Sequence, residues 1–140
     1  MEKSEDFGRS WEVVSWLDER LWTNQIECGR INEASLGYYD GKMYVVGRQQ
    51  SENGDNRLEI GVSEDLGVTW TWSFLPIEGH APSLTPYKDA FILTYRNVKD
   101  SNRGKYSFDT VLLKDGKLAS NPASLFESDN FDVGYGDVLT

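Results

Sequence analysis

The chain has 140 residues with 23 acidic and 14 basic side chains, a formal net charge of −9, which argues against nucleic acid or an anionic membrane as the main partner. A single cysteine, Cys28, excludes an internal disulfide and any multi-cysteine metal site, and it reads as a small buried residue. No stretch approaches the ~20 apolar residues of a membrane span, and no motif calls for a metal or a cofactor.

In chain order, the first pattern is Ser4-Glu5-Asp6-Phe7-Gly8-Arg9-Ser10-Trp11. Short Ser and Asp side chains hydrogen-bond nearby backbone groups and Gly takes positive φ, so the pattern predicts a hairpin turn with Trp opening the next strand. Residues 11–17 are rich in aromatic and β-branched types and predict an outer strand. Residues 18–28, of mixed charge and polarity, form the crossing to the next sheet. Strands over 31–36 and 42–48 flank Tyr39-Asp40-Gly41, whose Asp-Gly pair signals a tight turn. A polar loop over 49–56 leads to a third strand at 57–63. Then comes a near copy of the opening pattern, Ser63-Glu64-Asp65-Leu66-Gly67-Val68-Thr69-Trp70, with a fourth strand over 69–75.

The same plan then repeats. Ala81-Pro82-Ser83-Leu84 matches Glu33-Ala34-Ser35-Leu36, and Phe91-Ile92-Leu93-Thr94-Tyr95-Arg96 matches Met43-Tyr44-Val45-Val46-Gly47-Arg48 at the same offset. Residues 105–113 predict a third strand, Asp115-Gly116 the remnant of another box, and 117–126 a fourth strand. Tyr135-Gly136-Asp137-Val138-Leu139-Thr140 opens a further unit. No run of eleven or more residues has a helical period, so the chain is all-β. Sheets recurring at this interval cannot bury their own faces and build a β-propeller, here a segment of four-stranded antiparallel blades. It divides into the end of one blade with its linker (1–27), two blades (28–78 and 79–130) and the start of another (131–140). Propellers close with about 4–8 blades, so further blades are expected from the rest of a longer chain or from self-association.

Hairpin geometry gathers the candidate site. A turn centred between Asp40 and Gly41 sets Glu33 opposite Arg48, and one centred between Lys88 and Asp89 sets Ala81 opposite Arg96. Tyr135 falls in the register of Glu33 two blades on. Glu33, Arg48, Arg96 and Tyr135 are therefore expected at one mouth of the central channel. Taken singly, Glu33 with Arg48 reads as a rim ion pair and Tyr135 as a packing residue. Arg57 reads as a solvated surface residue and His80 as a loop hydrogen-bonding group. Trp16, Trp22 and Trp72 read as core or inter-blade packing.

The Ser-x-Asp-x-Gly-x-Thr-Trp pattern resembles the Asp-box of sialidases and related BNR-repeat propellers, where it closes the turn between the third and fourth strands of a blade. This implies two to three blades of a six-bladed sialidase-like propeller. Asn32-Glu33 through Gly47-Arg48 resembles the family stretch in which a glutamate assists a tyrosine nucleophile and an arginine belongs to a triad gripping the substrate carboxylate. Gly134-Tyr135-Gly136-Asp137-Val138 is similar to the nucleophile segment, although the family more often has Ser where Gly136 stands. For the third arginine, Arg103 matches the family interval to the tyrosine and Arg96 matches the hairpin geometry. The family's first triad arginine and its aspartate acid/base lie upstream, and nothing before Glu33 matches either.

The resemblance implies a glycoside hydrolase acting on sialic acid or a related acidic glycan, without cofactor. A carboxylate beside the anomeric carbon repels a carboxylate nucleophile, whereas a neutral phenol avoids the repulsion. Glu33 takes the phenol's proton, and arginines hold the sugar's carboxylate in bidentate fashion. The rival readings are a non-catalytic glycan-binding or adhesin propeller, and a glycosidase with a carboxylate pair that includes Glu33. Residues 1–6 lack the apolar core of a signal peptide, while the family implies an extracellular or periplasmic setting.

Overall fold

The computed structural model describes residues 1–17, 30–50, 56–98 and 105–129, and every regular element among them is a β-strand. β1 (Glu2–Lys3) pairs antiparallel with β2 (Glu12–Val13), and the first box closes that hairpin. β3 (Arg30–Tyr39), β4 (Lys42–Gln50), β5 (Arg57–Ser63) and the first half of β6 (Thr71–Tyr87) form one antiparallel meander. The second half of β6 opens the next, with β7 (Ala90–Asn97), β8 (Tyr106–Lys114) and the pair β9 (Lys117–Leu118) and β10 (Ala123–Ser128). Two four-stranded blades thus share one long strand.

Several strands differ from the sequence reading. Of the predicted 11–17 strand only Glu12–Val13 is regular strand, although Val14 N–H still donates to the Met1 carbonyl at 3.0 Å. The predicted break after Leu75 is absent: β6 runs on for 17 residues, and its pairing passes from β5 to β7 between Glu78 and Gly79. Pro76 and Pro82 are tolerated because each falls inside an irregularity of the ladder, where no N–H is needed. The predicted 117–126 strand is two strands, since the chain leaves the ladder before Pro122, which has no N–H to donate. Asp115-Gly116 forms a two-residue turn between β8 and β9, both residues at positive φ, and not a box remnant.

Side chains alternate across each strand, and the inward rows of the two blades meet in one core. Val46, Leu58 and Ile60 of the first blade pack with Leu84, Phe91, Leu93, Tyr95 and Val111 of the second, all buried. Fully burying one such side chain contributes about 1.5–3 kcal/mol. The approach of the blades depends on Gly37: a Cβ there would stand 2.5 Å from Cε1 of Phe91.

The two boxes are built alike, bond for bond. Ser63 Oγ donates to Asp65 Oδ1 at 2.8 Å and accepts from Gly67 N–H at 2.7 Å. Asp65 then accepts from the backbone N–H and the hydroxyl of Thr69 at 2.8 and 2.6 Å. Ser4, Asp6, Gly8 and Ser10 repeat each of these bonds. In both, the donors of the box hold the aspartate carboxyl down at about 2. Trp70 closes its box by donating to the carbonyl of Gly67 at 3.0 Å, as Trp11 does to Gly8 at 3.2 Å. The first hairpin docks on the second box, where Ser15 Oγ donates to the Gly67 carbonyl and accepts from Trp70 Nε1. Trp16, expected to pack, is 61% exposed, whereas Trp72 stacks on Trp70 with centroids 5.9 Å apart. Cys28 and Trp22 lie outside the described residues.

Candidate active site

The site is made by a β-bulge that occurs twice. On β3, Asn32 pairs with Arg48 and Ser35 with Val46, so Glu33 and Ala34 together oppose Gly47. The expected Glu33–Arg48 pairing is therefore replaced by Asn32–Arg48. On β6, His80 pairs with Arg96 and Ser83 with Thr94, which likewise replaces the expected Ala81–Arg96 pairing. The bulged residues Glu33 and Ala81 have φ of 51° and 50°. Non-glycine residues at such angles cost about 1–3 kcal/mol and persist only where their surroundings fix them, often at functional sites. The first bulge needs Gly47 opposite, because a Cβ there would lie 2.3 Å from Cγ2 of Ile31.

The bulge aims Glu33 at the next blade. Its Oε2 accepts the backbone N–H of Ala81 at 3.0 Å and lies 3.5 Å from Nη1 of Arg48. Asn32 Oδ1 in turn accepts the N–H of Glu33 at 3.0 Å. The Glu33 and Arg48 side chains are 20% and 14% exposed, so the ion pair is largely screened from water. Arg96 is 5% exposed and donates through Nη2 to Nδ1 of His80 at 3.2 Å. Nε2 of His80 meets Oδ1 of Asn56 at 2.9 Å. A guanidinium can only donate, so His80 carries its proton on Nε2 and is neutral. Burial first, then the charges of Arg48 and Arg96, push its pKa down to about 4, against a smaller raising effect of Glu33.

Among the described residues, two guanidinium groups and one carboxylate thus meet in a largely buried cluster around His80. The planar guanidinium groups suit bidentate recognition of a carboxylate. Among the described residues, Nε of Arg48 is buried and has no hydrogen-bond partner. No group of three or more His, Cys, Asp or Glu among the described residues could hold a metal.

The structure brings together Glu33, Arg48 and Arg96 of the sequence-derived set. Arg103 and Tyr135 lie outside the described residues. Arg57 is exposed, its guanidinium 4.1 Å from the ring centroid of Phe74. His80 makes the hydrogen bonds expected of it, but from β6 and not from a loop, linking Arg96 to Asn56. The sequence repeat carried the signal, since His80 stands in the second blade where Asn32 stands in the first.

No family model matches the chain, and no curated protein matches it either. Solved structures resemble it, these two among them. One is the α-L-arabinofuranosidase Arb93A from Fusarium graminearum in complex with an iminosugar inhibitor, 20% identical, with a TM-score of 0.67 over 93% of this chain. The other is Bacteroides ovatus xyloglucan PUL GH43B, 17% identical, with a TM-score of 0.53 over 66% of this chain. The chain spans 41% and 18% of those two proteins. At these identities the likeness is one of fold: the chain is an all-β segment of a β-propeller, built from successive four-stranded antiparallel blades.

Proposed function

We propose that the chain supplies part of the substrate mouth of a sialidase-like glycoside hydrolase acting on an acidic sugar. The observation that carries this reading is the meeting of Arg48 and Arg96 with Glu33 at one end of two adjacent blades. A sugar carboxylate fits that charge and geometry, and the arginines hold it while positive charge develops on the ring. Tyr135 is the proposed nucleophile: Glu33 takes the phenol proton as the phenolic oxygen bonds to the anomeric carbon and the glycosidic bond breaks. The departing oxygen takes a proton from a general acid or solvent, and water then hydrolyses the glycosyl-tyrosine. Arg103 is the alternative to Arg96 as the third arginine. Likeness in fold to two proteins named as glycoside hydrolases supports a glycan as the substrate class.

A second reading has its own support. One of the similar structures is named an arabinofuranosidase, and arabinofuranose carries no carboxylate. A neutral substrate permits a carboxylate pair, with Glu33 as one member.

Hydrolysis of a fluorogenic sialoside and a fluorogenic arabinofuranoside by the protein separates the two readings. The first expects sialoside turnover that falls by about 10²-fold or more in Tyr135→Phe. Arabinofuranoside turnover alone, insensitive to that change, selects the second. Turnover of neither points to a glycan-binding propeller without catalysis.

A further inference from the structure

We infer that a second ligand site, for a neutral sugar unit, lies in the cleft between the two blades, on the face of β7 turned away from Arg96. Alternation along β7 sends Arg96 to one side and its neighbours Tyr95 and Asn97 to the other. On that other side opens a cleft of about 690 Å³, within the roughly 300–1,000 Å³ usual for small-molecule sites. None of Glu33, Arg48, His80 or Arg96 lines it.

Its floor is a row of directly paired residues, Tyr95 on β7, Asp109 on β8 and Ser124 on β10. Asp109 is 5% exposed. Its Oδ2 accepts from Asn97 Nδ2 at 2.7 Å, while Oδ1 has no hydrogen-bond partner among the described residues. A buried carboxylate oxygen is costly to leave unsatisfied. Since Oδ1 has almost no accessible surface, a ligand hydroxyl in the cleft satisfies it through a small turn of the Asp109 side chain.

The remaining walls narrow the ligand class. Asn97, Ser107 and Ser124 offer neutral donors and acceptors, and Leu75, Pro76 and Ile77 offer apolar surface to the C–H face of a ring. Arg57 and Glu78, cross-strand partners at the exposed rim, balance one another, which leaves Asp109 to set the sign of the floor. That charge repels an acidic sugar and accepts hydroxyls. The cleft is thus opposite in preference to the mouth, where arginines predominate.

The test titrates the protein with D-xylose and methyl β-D-galactopyranoside, followed by saturation-transfer NMR and calorimetry. The expected result is saturable binding of at least one, weakened about tenfold in Asp109→Asn, where an amide N–H replaces an acceptor. Binding should be unchanged in Arg48→Ala, which separates this site from the mouth. Ser124→Trp fills the cleft from an exposed strand without touching the core, and decides the matter if Asp109→Asn does not fold. Unaltered binding in Ser124→Trp, absence of binding by either sugar, or preference for methylammonium over both would overturn the assignment.

Discussion

Glu33 and Ala81 stand at the same bulge position of consecutive blades, and the carboxylate of the first accepts the backbone N–H of the second at 3.0 Å across 48 residues of sequence. One repeated backbone feature therefore both aims the acid and ties the blades together. Ser35 reinforces the tie two residues on, its Oγ accepting the N–H of Leu84 at 3.0 Å.

Removing the carboxylate tests that link. Glu33→Ala leaves the Ala81 N–H without this acceptor and Arg48 without its counter-charge. The expected loss is about 1–3 kcal/mol in urea unfolding. Glu33→Gln keeps an acceptor for Ala81 and should lose less. Equal stability of both variants and the parent would show that the bond contributes nothing.

The shared core makes a second prediction. Leu93 is wholly buried where the blades meet, and Leu93→Ala should cost about 2–5 kcal/mol. Gly37→Ala should cost about 1–3 kcal/mol by overpacking against Phe91. Both are read from the urea midpoint, with unchanged m-values expected.

The boxes predict acid sensitivity. Asp6 and Asp65 have folded pKa values of about 2 against an ordinary 3.8, so each stabilises the fold above the ordinary value. That contribution is lost as pH falls from near 4 through 2. The prediction is an acid transition in tryptophan fluorescence within that window, flattened in Asp65→Asn.

His80 adds a second loss on acidification, at higher pH. Its folded pKa lies below the unfolded one, so the unfolded chain takes up the proton first and stability declines as pH drops from about 6.5 to 4. Imidazole resonances in NMR should stay those of the Nε2-protonated neutral ring at pH 6 and titrate near 4. Titration near 6.5 would contradict the arrangement with Arg96 and Asn56.

Much of this fold was legible because its signals are local. Asp40-Gly41 and Lys88-Asp89 fixed their hairpins, and Ser63 through Trp70 fixed a turn whose bonds all lie within eight residues. The two bulges were not legible: they add one residue between Asn32 and Ser35 and between His80 and Ser83, and the bond from Ala81 N–H to the Glu33 carboxylate that accompanies their positive φ joins residues 48 apart. Hairpin arithmetic brought Glu33, Arg48 and Arg96 to one end, since a slip of one residue moves a side chain along the strand without moving it to the other mouth. The partners of His80 escaped because one of them, Asn56, comes from another strand connection 24 residues away.

The arginine-lined mouth is tested most directly by calorimetric titration of N-acetylneuraminic acid into the protein and its Arg48→Lys variant. Lysine keeps the charge but loses the bidentate fork. Binding that weakens about tenfold or more in the variant is the predicted result. Equal affinity in the two proteins, or none in the parent, would contradict carboxylate recognition at this site.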